Sequence, residues 1–174
     1  IIVSLWIIRY LLAFNVQEFV MHLFQPLVRA GNTIAGIMIP IIFITLLWAA
    51  GIHGDSVVGT VARPIWLVLL EQNLEAAAAG QAIPNIAPEP FFQWFVWIGG
   101  SGTTLSLVFL MLCSKAPYLK SLGKAALIPG ICNINEPIIF GVPIMLNPLL
   151  LVPFILGPVV SGIVSYFTML LGWV

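Results

Sequence analysis

From Ile34 to Gly51 the chain runs through 18 consecutive residues without a charged side chain. A helix of that length is about 27 Å long, close to the roughly 30 Å hydrocarbon thickness of a bilayer. Such a rod presents no polar face to water, so lipid is the solvent that fits it. The rest of the chain agrees. Its residues are 61% hydrophobic and 7% charged, against roughly 25% charged in an ordinary soluble domain. Six acids and six bases cannot cover a water-facing surface of this size. The formal net charge is zero, so no basic field exists to attract nucleic acid.

The pattern along the chain predicts an all-α integral membrane protein. Residues 1–14 read as the end of a spanning helix. Val16, Phe19, Val20, Leu23, Leu27 and Val28 then recur on one helical face, with Asn15, Gln17, Glu18, His22 and Arg29 on the other. That layout predicts an amphipathic helix lying along the membrane–water interface, shortened by Pro26, with His22 on its polar face and not a ligand. Residues 1–33 thus form an entry segment, and 34–174 a transport core. Spanning helices are expected near 34–51, 91–113 and 148–174. Residues 53–70, interrupted by Gly59, Arg63 and Pro64, and residues 125–146, punctuated by Pro129, Gly130, Pro137, Gly141 and Pro143, predict broken or re-entrant segments. Non-helical backbone at membrane depth is tolerated only where protein or a cavity shields it. Residues 71–90 read as a solvent-side excursion, helical at first and irregular after. Lys115, Lys120 and Lys124 lie within ten residues with no acid among them. The positive-inside rule assigns that loop to the cytoplasm and 71–90 to the outside.

Two constellations carry chemistry. Asn133-Ile134-Asn135-Glu136-Pro137 sets a carboxylate inside an apolar stretch. An ionised carboxylate at membrane depth costs several kcal/mol, of order 3, so such a group faces a watery cavity, a partner or a ligand. Flanking amides and a carboxylate suit sugar hydroxyls, which donate and accept directional bonds. The structural alternative is a hydrogen-bond knot that closes a hairpin. The second constellation is Gly51-Ile52-His53-Gly54-Asp55, where His53 sits in backbone free to turn sharply. His53 binds a hydroxyl, relays a proton or satisfies a carbonyl; Asp55 reads as a helix cap. Gly99-Gly100-Ser101-Gly102-Thr103-Thr104 is either a close-packing surface or an unwound point in a discontinuous helix. Trp48, Trp66, Trp94 and Trp97 read first as interfacial anchors. Cys113 and Cys132 lack metal or CxxC spacing and read as buried small hydrophobes. Neither a metal site nor a cofactor is expected.

Together, Gly51-Ile52-His53-Gly54, the Gly-Gly-Ser-Gly of 99–102 and Asn133-Ile134-Asn135-Glu136-Pro137-Ile138-Ile139-Phe140-Gly141 resemble the C component of phosphotransferase-system permeases for β-linked disaccharides. The likeness covers essentially the whole chain and matches the C-terminal, substrate-binding half of such a protein, the N-terminal half being absent. It implies a multi-pass homodimer in the bacterial cytoplasmic membrane. That protein translocates a disaccharide of the diacetylchitobiose, cellobiose or lactose type and presents it to the phosphocysteine of a B component, itself supplied by an A component and the phosphocarrier HPr. The C component is then the membrane part of a phosphoenolpyruvate-dependent sugar phosphotransferase, with no phosphorylated residue of its own. The resemblance further implies that Glu136 and His53 act at the hydroxyl that accepts phosphate, with Asn135 beside them. Asn133, Gly54, Gly100 and Ser101 complete the expected binding set. Two other classes stay open: an ion- or proton-coupled secondary transporter with Glu136 and His53 as carriers, and an intramembrane enzyme using Glu136 as a general base. The second has no nucleophile–base pair or HExxH spacing to recommend it.

Overall fold

The structure is a computed structural model that describes residue 26 and residues 28–173. The predicted end of a spanning helix, and the predicted interfacial helix with His22, lie outside the described residues. Only its last turn, residues 28–31, is seen, and it is helical. Among the described residues there is no strand. The fold is that of an all-α membrane protein.

The helix α1 (Ile34–Ala49) starts at Thr33, whose hydroxyl oxygen accepts the Gly36 N–H at 3.1 Å, the arrangement that satisfies an otherwise orphaned first-turn donor. Its buried positions Ile37, Ile41, Ile44 and Trp48 form one stripe at helical spacing. Ile39, Phe43 and Leu46 are exposed on the far side. Pro40 sits inside without ending the helix, as membrane helices permit.

The helix α2 (Gly54–Ala78) corrects the expected break at 53–70. Arg63 and Pro64 lie inside one continuous helix of 25 residues. A proline removes one ladder bond but leaves the turns on both sides intact, and the alanine-rich second half favours helix strongly. After α2 the chain is irregular to residue 88, as expected. The excursion is pinned rather than loose. Asn85 N–H donates to Asn73 Oδ1 at 2.9 Å, Asn73 Nδ2 returns a bond to the Asn85 carbonyl at 2.8 Å, and Ile86 N–H donates to Asn32 Oδ1 at 2.7 Å.

The span expected over 91–113 is not one helix. It comprises a short turn α3 (Glu89–Phe91), a π-helical turn Phe92–Val96, an unwound stretch to Thr104, and α4 (Leu105–Leu112). The cause is local. Gly99, Gly100 and Gly102 take φ of 87°, 91° and 88°, and Thr103 follows at 55°. That is backbone that L side chains rarely adopt.

The helix α5 (Pro117–Ile131) turns at 132–135 into the short α6 (Glu136–Gly141), and the two pack together. This is the hairpin expected over 125–146. The last helix, α7 (Pro148–Leu170), is continuous despite Pro153 and Pro158. Its 23 residues span about 34 Å. Among the described residues it is the one helix long and apolar enough, by length and composition, to cross a membrane; α1 is shorter. It packs on α1 and on the π turn. Contact is close because Gly162 has no side chain: a Cβ there would lie 2.9 Å from Ile41 Cδ1. Small residues at such a seam are how membrane helices approach one another, since lipid offers no hydrophobic drive.

Candidate functional site

Two unwound segments, 97–104 and 132–135, meet beside the start of α2. The glycine stretch is therefore the unwound point, not a packing surface alone. Three amide contacts lace the segments together. Asn133 Oδ1 accepts the Gly99 N–H at 2.9 Å, and its Nδ2 donates to the Gln93 carbonyl at 2.6 Å. Asn135, buried, donates from Nδ2 to the Ser101 carbonyl. Gly100 lies against this amide. A Cβ on it would stand 2.7 Å from Asn135 Cγ, in addition to the strain of its φ.

His53 is the N-cap of α2. Its Nδ1 accepts the Ser56 N–H at 3.2 Å and contacts Ser56 Oγ at 2.9 Å. A backbone N–H only donates, so Nδ1 holds a lone pair and the ring proton is assigned to Nε2. Nε2 faces Glu136, whose Oε1 lies 3.5 Å away. The other carboxylate oxygen, Oε2, is buried and has no hydrogen-bond partner among the described residues.

Asp55 is not the cap; that role falls to His53. Its Oδ2 accepts the Trp48 indole N–H at 3.0 Å and the Ser101 hydroxyl. Trp48 in turn packs on the His53 ring, with centroids 4.5 Å apart and planes tilted by 46°.

These groups line a cavity of about 210 Å³ formed by His53, Asp55, Arg63, Trp97, Ser101 and Glu136, with Gln93, Gly100, Cys132, Asn133 and Asn135 completing its wall. Of the residues expected at a site, Glu136, His53, Asn133, Asn135, Gly100 and Ser101 come together here. Gly54 does not. It is buried, and a Cβ on it would lie 2.2 Å from the Ile44 carbonyl oxygen, so it seats α2 against α1 and is not part of this cavity's wall. Cys113 and Cys132 are exposed, not buried as expected, because each follows the end of its helix. Trp97, one of four tryptophans that the sequence offers either as interfacial anchors or as sugar-stacking surfaces, lines this wall, and so does Arg63, which the sequence pattern treats only as an interruption of 53–70. A charge within an apolar helix was the available signal for Arg63. For Trp97 nothing local distinguished it from Trp94, which is exposed. A separate cleft, about 630 Å³ between α4 and α7, is lined by apolar and hydroxyl groups and holds no titratable side chain.

Apolar outer faces around a polar cavity, walled by two unwound segments, define an all-α membrane domain. The chain belongs to the phosphotransferase system EIIC family, whose model matches residues 1–158. It is 42% identical, over 92% of its length, to the oligo-beta-mannoside-specific EIIC component of Bacillus subtilis. It is 40% identical, over its full length, to the cellobiose-specific EIIC component of Geobacillus stearothermophilus. The crystal structure of the transporter ChbC, the IIC component of an N,N'-diacetylchitobiose-specific phosphotransferase system, superposes with a TM-score of 0.87. It shares 46% identity and covers 99% of this chain and 40% of its own. The chain spans 37% and 40% of the length of the two curated relatives.

Proposed function

We propose that this chain forms the sugar-handling part of a permease that moves a β-linked disaccharide, of the diacetylchitobiose or cellobiose type, across the bacterial cytoplasmic membrane and delivers it for phosphorylation by a B component. The observation that carries the reading is the orphaned Oε2 of Glu136 beside a His53 whose Nε2 lies 3.5 Å from Oε1. A sugar hydroxyl in the cavity meets this carboxylate, which lines its wall, and a small rotation of the side chain presents the unpartnered oxygen to it. As the hydroxyl attacks a phosphoryl group, its proton passes to Glu136, the general base. His53 already carries a proton on Nε2, so it orients the carboxylate and does not accept the hydroxyl proton. Trp97 offers an indole wall to a sugar ring, and Asn133 and Asn135 hold the two unwound segments apart at a fixed spacing. The cavity is smaller than the roughly 300–1,000 Å³ of typical ligand pockets. It takes the reacting end of a disaccharide and leaves the remainder outside the wall described. The relatives' names support the sugar class. The exposed lysines 115, 120 and 124 mark the cytoplasmic side, where the B component docks with its own A component and HPr upstream. A homodimer completes the assembly.

The test is uptake of radiolabelled chitobiose and cellobiose by cells making the permease, wild type or Glu136→Gln, with analysis of the product. Phosphorylated disaccharide in wild type and its loss in the variant is the expected result. Sugar arriving unphosphorylated, with uptake driven by a proton gradient, would make Glu136 and His53 proton carriers and replace this reading with a secondary transporter.

A further inference from the structure

Arg63 is a cation in mid-helix whose place needs an explanation. It projects from α2 two turns beyond Asp55, is exposed, and makes no ion pair among the described residues. It lines the cavity that holds Glu136 and His53. It also lines an adjoining groove of about 390 Å³ with Asp55, Ser56, Gly59, Thr60 and Pro64. Arg63 and Asp55 are the side chains the two spaces share, so Arg63 stands where one opens to the other.

The charge in the cavity makes this position informative. Two acids, Asp55 and Glu136, line the cavity, and Arg63 is the one lysine or arginine among its lining residues. Phosphoryl transfer spreads charge over three equatorial oxygens and depends on cations to hold it. A guanidinium does so with two parallel N–H donors, a geometry an ammonium lacks. Gly59 leaves the groove open, since a Cβ there would touch nothing within 4 Å.

We propose that Arg63 is the phosphoryl-binding residue of this site, with the groove along Ser56, Gly59 and Thr60 as the approach of the donor's phosphoryl group. The assignment rests on the sugar-phosphorylation reading and deepens it. In the step it serves, the S–P bond of the donor's phosphocysteine breaks as the O–P bond to the sugar forms. The hydroxyl proton goes to Glu136 Oε2, and the sulfur leaves as thiolate. Arg63 holds the equatorial oxygens throughout and then the phosphate of the product.

The test uses the permease in nanodiscs of neutral phosphatidylcholine and, separately, of anionic phosphatidylglycerol. Wild type, Arg63→Gln and Arg63→Lys are compared for binding of the disaccharide, of its phosphate and of inorganic phosphate, and for phosphorylation with the B component. Arg63→Gln should weaken sugar-phosphate binding by about tenfold or more, the scale of a lost charge-assisted contact, in both lipids. Its affinity for the unphosphorylated sugar should stay within about twofold of wild type, because neutral hydroxyls do not need the charge. Arg63→Lys should recover part of the loss. Removing a charge from a membrane helix does not impair insertion, so these readouts are measured on folded protein. Unchanged sugar-phosphate binding and phosphorylation in Arg63→Gln overturn the assignment alone. A loss seen only in anionic discs also overturns it and makes Arg63 a lipid-headgroup anchor. A wild type that neither binds nor phosphorylates a β-linked disaccharide overturns the sugar reading and this assignment together.

Discussion

The carboxylate of Asp55 accepts the indole N–H of Trp48 at 3.0 Å. These residues are seven apart in sequence, yet the contact bridges the end of α1 and the start of α2 across the turn that presents His53. It is also one link of a closed circuit. Trp48 packs on His53, His53 faces Glu136, and Glu136 follows Asn135, which donates to the Ser101 carbonyl. The Ser101 hydroxyl returns to Asp55. Six side chains from three parts of the chain therefore fix one another, and the Glu136 carboxylate sits within that circuit.

Asp55 is thus a positioning residue. Asp55→Ala leaves the Trp48 and Ser101 donors without an acceptor, a cost of about 1–3 kcal/mol for each buried group. Asp55→Asn keeps one carbonyl oxygen and recovers part of it. Thermal unfolding in detergent should rank wild type, Asn and Ala in that order. Phosphorylation kcat should fall in both variants with a smaller change in KM, since the network aims Glu136 and does not bind the outer sugar. Equal kcat in wild type and Asp55→Ala would remove the positioning role.

The two nitrogens of His53 do different work, and substitution separates them. Asn is a good N-cap, so His53→Asn should keep α2 and thermal stability while losing the Nε2 group that faces Glu136. Phosphorylation should fall by about 10²-fold or more if that contact orients the base, within the range typical of general-base machinery. A variant as active as wild type in a coupled phosphorylation assay would show that His53 serves only the helix.

Gly100→Ala adds a methyl group at a φ of 91° and 2.7 Å from Asn135 Cγ. Strain and clash together should cost about 3 kcal/mol or more. Gly59→Ala, on a helix with open space around it, should be neutral or stabilise by about 0.5–1 kcal/mol. Thermal melts of the two variants decide whether the unwound turn is built as described.

Cys132 is exposed and lines the cavity, whereas Cys113 is exposed away from it. A small maleimide should label both thiols in the free protein. Saturating disaccharide should slow labelling of Cys132 and leave that of Cys113 unchanged, as read by mass spectrometry of the labelled peptides. Equal protection, or none, would place the sugar elsewhere.

Much of the fold was legible along the chain because lipid imposes simple rules. An uncharged stretch of spanning length is a helix, and a carboxylate inside an apolar stretch needs a polar surround. Those rules located α1, α7, the 125–146 hairpin and Glu136. They misread α2 as broken because Arg63 and Pro64 look like interruptions. They left open whether the glycines of 91–113 pack a helix or unwind it, because three glycines do not announce their φ. In each case the outcome turned on what packs nearby: a helix can carry one proline when its neighbouring turns hold, and a backbone can unwind when amides from another segment take its hydrogen bonds.

The sequence by itself determined the solvent, the helical class and the polar residues that have no business in lipid unless they share a cavity. Tertiary structure decided which of them do. Glu136 and His53 are separated by 83 positions in the chain and by 3.5 Å in space. That distance exists because Asn133 and Asn135 tie one unwound segment to the other, and Asp55 ties that crossing to α2. Hydrogen bonds between remote segments depend on geometry that no local pattern encodes, and this is why the place of Arg63 on the cavity wall and the contacts of Asp55 with Trp48 and Ser101 are seen only in the folded chain.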